Sequence, residues 1–531
     1  MNRSINRRQF LKSAAVAPFA ATLAAQTPRK TRVRSRRPNI ILIMADDMGF
    51  SDIGGYGSEI QTPNLNRLAA GGIRFTQFCN TSRCCPSRAS LLTGLYSHQA
   101  GIGSMIQDWG LPGYRGFLND RCVTIGEGLK PSAYHRLMVG KWHVGEERPH
   151  WPLDRGFEHY FGLISGADNY FRPQRQMALE NQPWKPTAPG FYMTDAFADH
   201  ALELIDEYGR KPDPYFLYLA FTAPHWPLHA WPRDIAKYRG KYLKGWDRLR
   251  EERHQRQIEH GIVQAKWGIT PRDELVPAWD TVKDKEGDDL RMAVYAAQID
   301  RLDQNIGRVL RKVKELGQEE DTLIMFLSDN GGCAEEKIRG EQPVPPGPAD
   351  SFTSYGRRWA NASNTPFRLY KHWVHEGGIA TPFIAYWPSV IKQAGTLHHG
   401  RAHIIDLMAT VLDIAGVSYP DTYQGHKIHP LEGKSLLPTF EHKPRELHDY
   451  LFWEHSGNRA AWSADWKLVS RFPDRWELYN LADDRTEMHD QSAAQPERLA
   501  AMRRAYDAWA ARSNVAPWDQ IRKRPAKAAK G

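Results

Sequence analysis

Four apolar runs in the sequence each end in side chains that can bind a metal ion, hold an anion or move a proton. The runs cover residues 39–47, 135–143, 215–225 and 322–330, and the side chains at their ends are Asp46, Asp47, Lys141, His143, His225, Asp329 and Asn330. Carboxylate and amide oxygens suit Ca²⁺ or Mg²⁺ better than Zn²⁺, whereas histidine transfers protons at neutral pH. One such ending is a weak signal, but four of them indicate a composite site.

A fifth stretch, SRCCPSRASLLTG at 82–94, places two adjacent cysteines at a predicted helix start. Pro86 suits the first helical position, so Cys84 is predicted just before the helix N-terminus. Free backbone N–H groups and the helix dipole favour an anion there. Taken alone, the pattern supports a reactive thiolate and a buried structural cysteine equally well.

The same four runs predict the elements that must position these side chains. Continuous apolar runs of this length are typical of parallel strands buried on both faces of a sheet. Ligands bind beyond the carboxyl ends of the strands in an open parallel sheet, so the four endings are expected to meet in one crevice. Apolar residues at helical spacing predict a helix over 289–316. We therefore predict an α/β fold, with a large and mostly parallel sheet flanked by helices.

Other segments complete the predicted organisation. Residues 231–290 are charged and carry tryptophans, and 341–366 are rich in proline, glycine and serine, so both are predicted to be solvated loops over the sheet edge. Beyond Pro430, a small antiparallel sheet and a terminal helix are predicted from β-rich runs at 449–455, 466–472 and 476–481 and a helical stripe at 496–513. The domain prediction is a signal peptide at 1–25, a basic linker at 26–37, a catalytic domain at 38–430, a C-terminal subdomain at 431–518 and a basic disordered tail at 519–531.

The net charge of +10 is concentrated at the two ends of the 531-residue chain. Residues 1–37 contain ten basic side chains and residues 521–531 contain five, with no acidic residue in either segment. The remaining body, 38–520, therefore carries a net charge of −5. A mildly acidic body argues against a nucleic-acid partner.

The N-terminal segment predicts export. Paired arginines within NRRQFLK at 6–12 precede an alanine-rich apolar stretch at 13–25, which is typical of a twin-arginine signal peptide. This stretch is shorter than the ~20 residues that span a bilayer, so stable membrane insertion is not expected. We expect the twin-arginine machinery to carry the chain to the periplasm or the exterior of a bacterium. Five cysteines, an odd number, make a disulfide framework improbable there.

The string Cys84-Cys85-Pro86-Ser87-Arg88, followed by Leu-Thr-Gly, resembles the signature Cys-x-Pro-Ser-Arg of the type I sulfatases. The resemblance implies an alkaline-phosphatase-like fold. It also implies that a formylglycine-generating maturation enzyme oxidises Cys84 to formylglycine, while Cys85 fills the variable position as a bystander. A hydrated aldehyde has two hydroxyls, of which one can attack a sulfate ester and the other can then expel sulfate.

Family resemblance also suggests roles for the remaining candidates. It implies that Asp46, Asp47, Asp329 and Asn330, with converted Cys84, bind one divalent cation, and we expect Ca²⁺, with Mg²⁺ as the alternative. Arg88 would steady the formylglycine hydrate, Lys141 would grip nucleophile and sulfate, and His143 would assist collapse of the covalent intermediate. His225 would contact the leaving group as a proton donor. Lys371, in Asn364-Thr-Pro-Phe-Arg-Leu-Tyr-Lys371, would bridge the sulfate and leaving-group oxygens.

Each of these residues also has a structural interpretation. The carboxylates could cap loops at strand ends, Arg88 could form a surface salt bridge, and the histidines could be structural. Many relatives carry arginine where this chain has Ala380, so the detail of that loop is open. Aromatic and imidazole side chains at Trp226, His229, Trp246 and Trp359 suit either a ring-shaped substrate or core packing.

We therefore predict that the chain is an exported, formylglycine-dependent sulfatase and that it hydrolyses aryl or carbohydrate sulfate monoesters. Two alternatives remain open at this point. One is a phosphate or phosphonate monoester hydrolase of the same superfamily. The other is a non-catalytic protein that binds sulfated glycans, which would follow if Cys84 stayed a thiol.

Overall fold

The computed structural model describes residues 37–187, 189–339 and 344–524. The predicted signal peptide at 1–25 and nearly all of the predicted linker lie outside these residues, as do 525–531 of the predicted tail. The strands are β1 Asn39–Ala45, β2 Ile73–Phe75, β3 Phe78–Cys79, β4 His135–Gly140, β5 His159–Leu163, β6 Met177–Leu179, β7 Gln182–Trp184, β8 Tyr215–Ala220, β9 Thr322–Ser328, β10 Phe383–Tyr386, β11 Thr396–His398, β12 Ala402–His403, β13 Thr422–Tyr423, β14 His426–Lys427, β15 Leu451–His455, β16 Asn458–Ser463, β17 Trp466–Ser470 and β18 Glu477–Asn480.

The helices vary in length from 4 residues to 31 residues. They are α1 Pro63–Gly71, α2 Cys84–Thr93, α3 Ile125–Gly128, α4 Met193–Tyr208, α5 Pro232–Ile235, α6 Gly245–Glu259, α7 Lys285–Glu315, α8 Gly356–Ser363, α9 Glu376–Ile379, α10 Asp406–Ala415, α11 Leu437–Phe440, α12 Pro496–Arg512 and α13 Trp518–Ile521. No helix within the described ranges is both long enough and apolar enough to cross a bilayer.

The largest sheet in the described part of the chain has the strand order β11-β2-β10-β9-β1-β8-β4-β5-β6-β7. Its central strands, β9, β1, β8, β4 and β5, are parallel, and antiparallel pairs flank them. The four predicted strands are therefore neighbours in one parallel block. This confirms the predicted α/β class and the mostly parallel central sheet.

Both faces of this sheet are buried, which explains why its strands are continuously apolar. Ile41 and Ile43 of β1 contribute to one hydrophobic core, together with α4 and α7. Ile40 and Leu42 contribute to a second core on the opposite face, together with α2 and α10. Successive side chains of a strand point to opposite faces, so a strand covered on both sides needs apolar side chains at successive positions.

The predicted helix at 289–316 is confirmed and extends further toward the N-terminus. Helix α7 begins at Lys285, where the Asp284 side chain accepts a hydrogen bond from the backbone N–H of Gly287. The periodicity began only at 289 because the first turn of the helix is charged rather than apolar. Its side chains pack on the sheet face that carries Ile41 and Ile43.

The expectation of solvated loops at 231–290 and 341–366 is wrong for much of both segments. Helix α6 lies in the first, and its Arg253 is fully buried between Asp52, at 2.7 Å, and Glu59, at 2.9 Å. Helix α8 lies in the second. The charge of α6 suggested a solvated segment, but ion pairs with Asp52 and Glu59 bury Arg253.

The predicted C-terminal sheet is present as the antiparallel meander β15-β16-β17-β18, with α12 packed beside it. The sequence interpretation missed β16, whose residues Asn-Arg-Ala-Ala-Trp-Ser lack the β-branched side chains typical of strands. The predicted tail at 519–531 is also corrected in part. Residues 518–521 form α13, and its Ile521 is fully buried.

Candidate active site

The four polar endings meet because the strands that carry them end in register. Leu327 of β9, Met44 of β1 and Ala220 of β8 lie opposite one another, and Gly140 of β4 lies opposite Ala220. The polar residues follow each of these positions by one to five residues. As the sequence predicted, they converge beyond the carboxyl ends of the strands.

Asp46 and Asp329 share the positive charges of two buried cations. Asp46 Oδ2 lies 2.5 Å from Lys141 Nζ and 3.6 Å from Arg88 Nη2. The same Arg88 nitrogen lies 2.8 Å from Asp329 Oδ2, and Arg88 Nη1 donates to the carbonyl oxygen of Lys141 at 3.0 Å. Arg88 is completely buried, so a surface salt bridge is excluded as its role.

Asp47 is held on the other side of this cluster. Its Oδ1 lies 2.6 Å from Lys371 Nζ and accepts a hydrogen bond of 2.6 Å from Asn330 Nδ2. Its Oδ2 lies 3.4 Å from His225 Nε2. The Asp47 backbone has φ 66°, a left-handed conformation that only a small fraction of non-glycine residues adopt. Helix α7 supports this turn, because Tyr295 Oη donates to the Asp47 carbonyl oxygen at 3.1 Å.

Three buried oxygens of this cluster fit a cation. Asp46 Oδ1, Asp47 Oδ2 and Asn330 Oδ1 have no hydrogen-bond partner among the described residues. Buried polar atoms normally have a partner, and an unpaired buried oxygen is costly. An all-oxygen donor set of this kind suits Ca²⁺ or Mg²⁺. Three of the predicted ligands, Asp46, Asp47 and Asn330, therefore offer oxygens that fit such an ion, whereas both Asp329 oxygens accept hydrogen bonds from Asp47 N and Arg88 Nη2.

The pKa values of the carboxyl groups reflect the same crowding. Burial, together with the charge of Asp46, raises the pKa of Asp329 to about 8. Burial also raises the pKa of Asp46, although Lys141 and Arg88 oppose the shift. Burial acts to raise the pKa of Asp47 as well, but Lys371 and His225 outweigh it and hold that pKa well below its usual range. Gathered carboxylates of this kind are stabilised by added positive charge.

Helix α2 brings the vicinal cysteines into the cluster, with one correction to the predicted start. The helix begins at Cys84 itself, after the N-cap residue Arg83, so Pro86 is its third residue rather than its first. Cys84 thus lies in the first turn, where unpaired N–H groups favour an anion. A hydrogen bond from Cys85 and the charges of Lys141 and Lys371 lower the pKa of the Cys84 thiol well below its usual value.

Cys85, which the resemblance implied to be a bystander, lies against the side chain of His143. Its Sγ lies 3.3 Å from His143 Nε2, and both residues are buried. His143 has a left-handed backbone with φ 57°, and its Nδ1 lacks a hydrogen-bond partner in the described part of the chain. Burial and the charge of Lys141 lower the pKa of His143 to about 3. Sequence reasoning missed this contact because the motif treats the position of Cys85 as variable.

Backbone hydrogen bonds join the segment that carries Lys371 to the loop after β9. Lys371 N donates to Gly332 O at 3.1 Å, and Gly331 N donates to Gly378 O at 3.1 Å. A Cβ on Gly377 would lie 2.3 Å from Arg368 O, so the backbones approach too closely for any other residue. The departure at Ala380 lies outside the cluster, since Ala380 is buried and forms a β-bridge with Cys79.

A partly exposed rim surrounds the buried cluster. His225 Nδ1 lies 2.6 Å from the Trp226 carbonyl oxygen, and the Trp226 ring is half-buried beside it. Lys337 Nζ lies 5.4 Å from the centre of that ring, and Glu335 pairs with Arg83 at 2.9 Å. No sequence pattern indicates Glu335 or Lys337, because their place at the rim depends on contacts between distant segments.

The other proposed aromatic and imidazole side chains belong to the fold. Trp246 and Trp359 are fully buried and pack edge to face, with ring centres 5.4 Å apart. His229 is also buried, and its Nε2 lies 2.8 Å from the Ser351 carbonyl oxygen. All five cysteines of the sequence lie in the described ranges, and each is buried as a free thiol.

Comparison with known proteins gives a consistent result. Residues 38–417 match the sulfatase family, residues 367–504 match the C-terminal region of N-sulphoglucosamine sulphohydrolases, and residues 4–24 match the twin-arginine translocation signal. The chain is similar to an uncharacterized sulfatase of Schizosaccharomyces pombe, with 35% identity over 88% of this chain and 92% of that protein. It is also similar to the arylsulfatase of Klebsiella aerogenes, with 33% identity over 76% of this chain and 92% of that enzyme.

Solved structures show the same architecture. The crystal structure of Ps i-CgsB in complex with k-i-k-neocarrahexaose has a TM-score of 0.69 and 25% identity, and the match covers 92% of this chain and 98% of that one. A phosphonate monoester hydrolase of Agrobacterium radiobacter shares the fold at a TM-score of 0.59 and 18% identity, covering 90% of this chain and 96% of that one.

Proposed function

The chain belongs to the sulfatase family, and on that premise we propose that it hydrolyses aryl or carbohydrate sulfate monoesters through a formylglycine formed at Cys84. The family membership makes it a sulfuric ester hydrolase, and its twin-arginine signal directs its export. The proposal rests on one observation. Cys84, Lys141 and Lys371 meet in the same buried cluster as the three unpartnered carboxylate and amide oxygens.

The proposed nucleophile is the formylglycine hydrate at position 84. When present, this group would supply one hydroxyl to attack sulfur and a second to expel sulfate. Arg88 would steady the hydrate, since it is fixed between Asp329 and the Lys141 carbonyl oxygen. His143 would assist the collapse step. The maturation enzyme that forms formylglycine is part of the proposal.

The proposed cation ligands are Asp46, Asp47, Asp329 and Asn330, joined by the converted residue 84. We propose Ca²⁺, with Mg²⁺ as the alternative, because the donors are all oxygens. A bound divalent cation adds positive charge beside the group that is transferred. The raised pKa of Asp329, to about 8, supports a role as a ligand whose charge the ion would balance.

The substrate would bind between three side chains that already surround Asp47 and Asp46. Lys141 and Lys371 provide fixed positive charge for the outer sulfate oxygens, and His225 faces the leaving group as its proton donor. The oligosaccharide bound by the related structure Ps i-CgsB supports a carbohydrate sulfate as substrate, with aryl sulfates as usable surrogates.

We further propose that 38–430 forms the catalytic domain and that a C-terminal subdomain begins at 431. The hydrophobic cluster that β15 to β18 and α12 build supports this division, and it packs against Cys79, Tyr96 and Ile405 of the catalytic domain. The buried Ile521 extends the subdomain past the predicted end at 518.

The first test asks whether Cys84 is converted. Trypsin cleaves after Arg83 and Arg88, so it releases residues 84–88 for mass analysis. Protein expressed and exported in its native host should show an aldehyde at position 84. An intact cysteine in such material would contradict the mechanism and favour the glycan-binding alternative.

A second test addresses the group that is transferred. Purified enzyme should hydrolyse an aryl sulfate faster than the matching aryl phosphate, and the Cys84→Ala variant gives the background for each. A clear preference for the phosphate or for a phosphonate ester would assign the chain to the alternative activity. A panel of defined sulfated sugars then identifies the natural substrate class.

A further inference from the structure

The unpaired oxygens of Asp46, Asp47 and Asn330 form what we call the oxygen cluster. A second set of possible metal ligands lies beside this cluster and consists of sulfur and nitrogen atoms. Cys84 Sγ, Cys85 Sγ and a ring nitrogen of His143 all lie within 4.8 Å of one another. The Cys85 Sγ to His143 Nε2 distance is 3.3 Å. All three side chains are buried. The sulfatase signature requires only the first of these cysteines, so the mechanism gives Cys85 no task.

The spacing of these atoms suits a tetrahedral thiophilic ion. Zinc binds thiolate sulfur at about 2.3 Å and imidazole nitrogen at about 2.0–2.1 Å. Two sulfur atoms on one tetrahedral zinc are therefore about 3.8 Å apart. Atoms that already lie within 4.8 Å of one another need to move by only about 1 Å to reach this geometry.

The backbone holds the three donors in place. Cys84 and Cys85 are the first two residues of α2, and His143 follows β4 in a left-handed turn. The buried His143 Nδ1 has no hydrogen-bond partner in the described part of the chain, so no bond turns Nε2 away from the thiols. The hard-ligand set at Asp46, Asp47 and Asn330 is separate in its atoms and suits a different class of ion.

We propose that, before Cys84 is converted, the folded chain binds one Zn²⁺ through Cys84 Sγ, Cys85 Sγ and His143 Nε2, with water as the fourth ligand. Binding releases the two thiol protons, so the site carries no net charge when the imidazole is neutral. Conversion of Cys84 removes its sulfur and leaves two donors, which is too few for a structural zinc site. Bound zinc and formylglycine at position 84 therefore exclude each other.

The proposal has a consequence for maturation. A folded chain that acquires zinc before conversion would hold its nucleophile precursor as a metal thiolate. Such a chain would be protected from oxidation at Cys84. This inference concerns the unconverted chain, so it stands or falls independently of sulfatase activity.

The test uses the full-length chain produced in a host that leaves Cys84 as a thiol, as verified by mass analysis of residues 84–88. After equilibration with Zn²⁺ and removal of excess ion, the chain should retain about one zinc per molecule by elemental analysis. Co²⁺ in place of zinc should give thiolate-to-metal charge-transfer absorption in the near ultraviolet. The oxygen cluster cannot produce that band.

Variants separate this site from other ones. Cys85→Ser should weaken zinc binding by at least about tenfold and lower the charge-transfer band to about half or less, because one of the two thiolates is lost. The control is Cys122→Ser, which removes a buried thiol that donates to the Asn119 carbonyl oxygen and does not belong to the proposed site. This variant should leave both zinc binding and the charge-transfer band unchanged. Circular dichroism confirms that each variant is folded. The Asp47→Asn variant should keep the band, because its carboxylate belongs to the other donor set.

Three results would overturn the proposal. The first is a folded, unconverted chain that retains no zinc. The second is zinc retention that Cys85→Ser leaves intact and Asp47→Asn removes, which would place the ion in the oxygen cluster. Chain with formylglycine at position 84 should show no charge-transfer band, and a band of full strength there would also contradict the site.

Discussion

At the scale of single residues, the site depends on two adjacent carboxylates, Asp46 and Asp47, that face different sets of partners. Asp47 faces Lys371, Asn330 and His225, whereas Asp46 faces Lys141 and Arg88. Each carboxylate keeps one buried oxygen without a hydrogen-bond partner among the described residues. The lysine and arginine side chains thus hold the two carboxylates in place, and one oxygen of each carboxylate remains available to a metal ion.

Replacing Lys371 should remove fixed positive charge from the sulfate site. We expect Lys371→Ala to lower kcat for an aryl sulfate by about 10²–10³-fold, the usual effect of losing one preorganised donor. The exposed Lys392 provides the matched control, and Lys392→Ala should leave kcat unchanged. Steady-state kinetics with both variants, at equal folded concentration, measures the difference. Equal activity of Lys371→Ala and the parent enzyme would remove Lys371 from the site.

Asp47→Asn tests the proposed cation ligands. The amide keeps the shape of the side chain but removes the negative charge that a hard cation prefers. We expect this variant to lose bound Ca²⁺ in elemental analysis and to stay inactive when CaCl₂ is added. Asp303→Asn is the control, because Asp303 is a buried carboxylate that accepts from the backbone N–H of Leu65, at 2.8 Å. Calcium retained by Asp47→Asn would contradict the assignment.

At the scale of elements, the strand ends must approach one another closely to place their side chains. Gly140 ends β4 directly before Lys141, and a Cβ there would lie 1.9 Å from the Ala220 carbonyl oxygen of β8. Its φ is +113°. A larger residue would separate the two strands and displace both Lys141 and the segment that leads to His225.

Two glycine variants isolate this steric requirement. Gly240 also has a positive φ, +79°, but a Cβ on it would meet no atom within 4 Å. Gly240→Ala should therefore cost only about 1–2 kcal/mol for the left-handed backbone, with activity retained. Gly140→Ala should destabilise the protein further and abolish activity. Urea unfolding and aryl sulfate turnover measure both, and equal losses in the two variants would exclude a role for strand spacing.

Helix α10 provides a pH-dependent contribution to stability away from the metal cluster. Burial alone would raise the pKa of Asp406, but a hydrogen bond from His448 and the charge of Arg445 lower it to about 2. A carboxyl group with a lowered pKa stabilises the folded state above its ordinary pKa, and the stabilisation is lost as the pH falls. The stabilisation by Asp406 should therefore be lost as the pH falls from about 4 to 2.

Asp406→Asn measures that contribution. At neutral pH the parent should exceed the variant in free energy of unfolding by about 2 kcal/mol or more. The gap should shrink as the pH falls from about 4 to 2, because Asp406 becomes protonated in the parent. Urea unfolding across this range tests the expectation. A gap that does not change with pH would show that the loss is one of packing or hydrogen bonding alone.

At the scale of the whole molecule, a buried ion-pair network joins the catalytic loops to the C-terminal sheet. Lys467 of β17 lies 2.8 Å from Glu376 and 2.8 Å from Glu487, and Arg485 lies 3.0 Å from Glu376. Glu376 begins α9, five residues after Lys371. The C-terminal sheet therefore supports the loop that carries a catalytic candidate.

Lys467→Met should test this support. Removing one member of a buried network leaves uncompensated charge and typically costs about 3–5 kcal/mol. Exposed Lys443, which pairs with Glu441 at 2.8 Å, is the control, and Lys443→Met should cost less than about 1 kcal/mol. Urea unfolding and kcat are measured for both. If Lys467→Met unfolds at the same urea concentration as Lys443→Met, the network is not a major source of stability.

The sequence by itself determined the central strands, the polar residues that follow them and the start of the helix at the vicinal cysteines to within two residues. These features are local, because a strand buried on both faces must be continuously apolar and its polar continuation stands out against it. The fixed spacing of Cys84, Pro86 and Arg88 also determined the family. The register that brings Leu327, Met44, Ala220 and Gly140 level was not predicted, because it depends on pairing between strands that are distant in the chain.

Only the tertiary structure decided which distant residues complete these local patterns. The charge of α6 is typical of a solvated segment, yet Asp52 and Glu59 bury Arg253. Cys85 occupies a variable position in its motif, yet it meets His143. Burial of a charge and contact between two side chains depend on partners far away in the chain, and no local pattern specifies those partners.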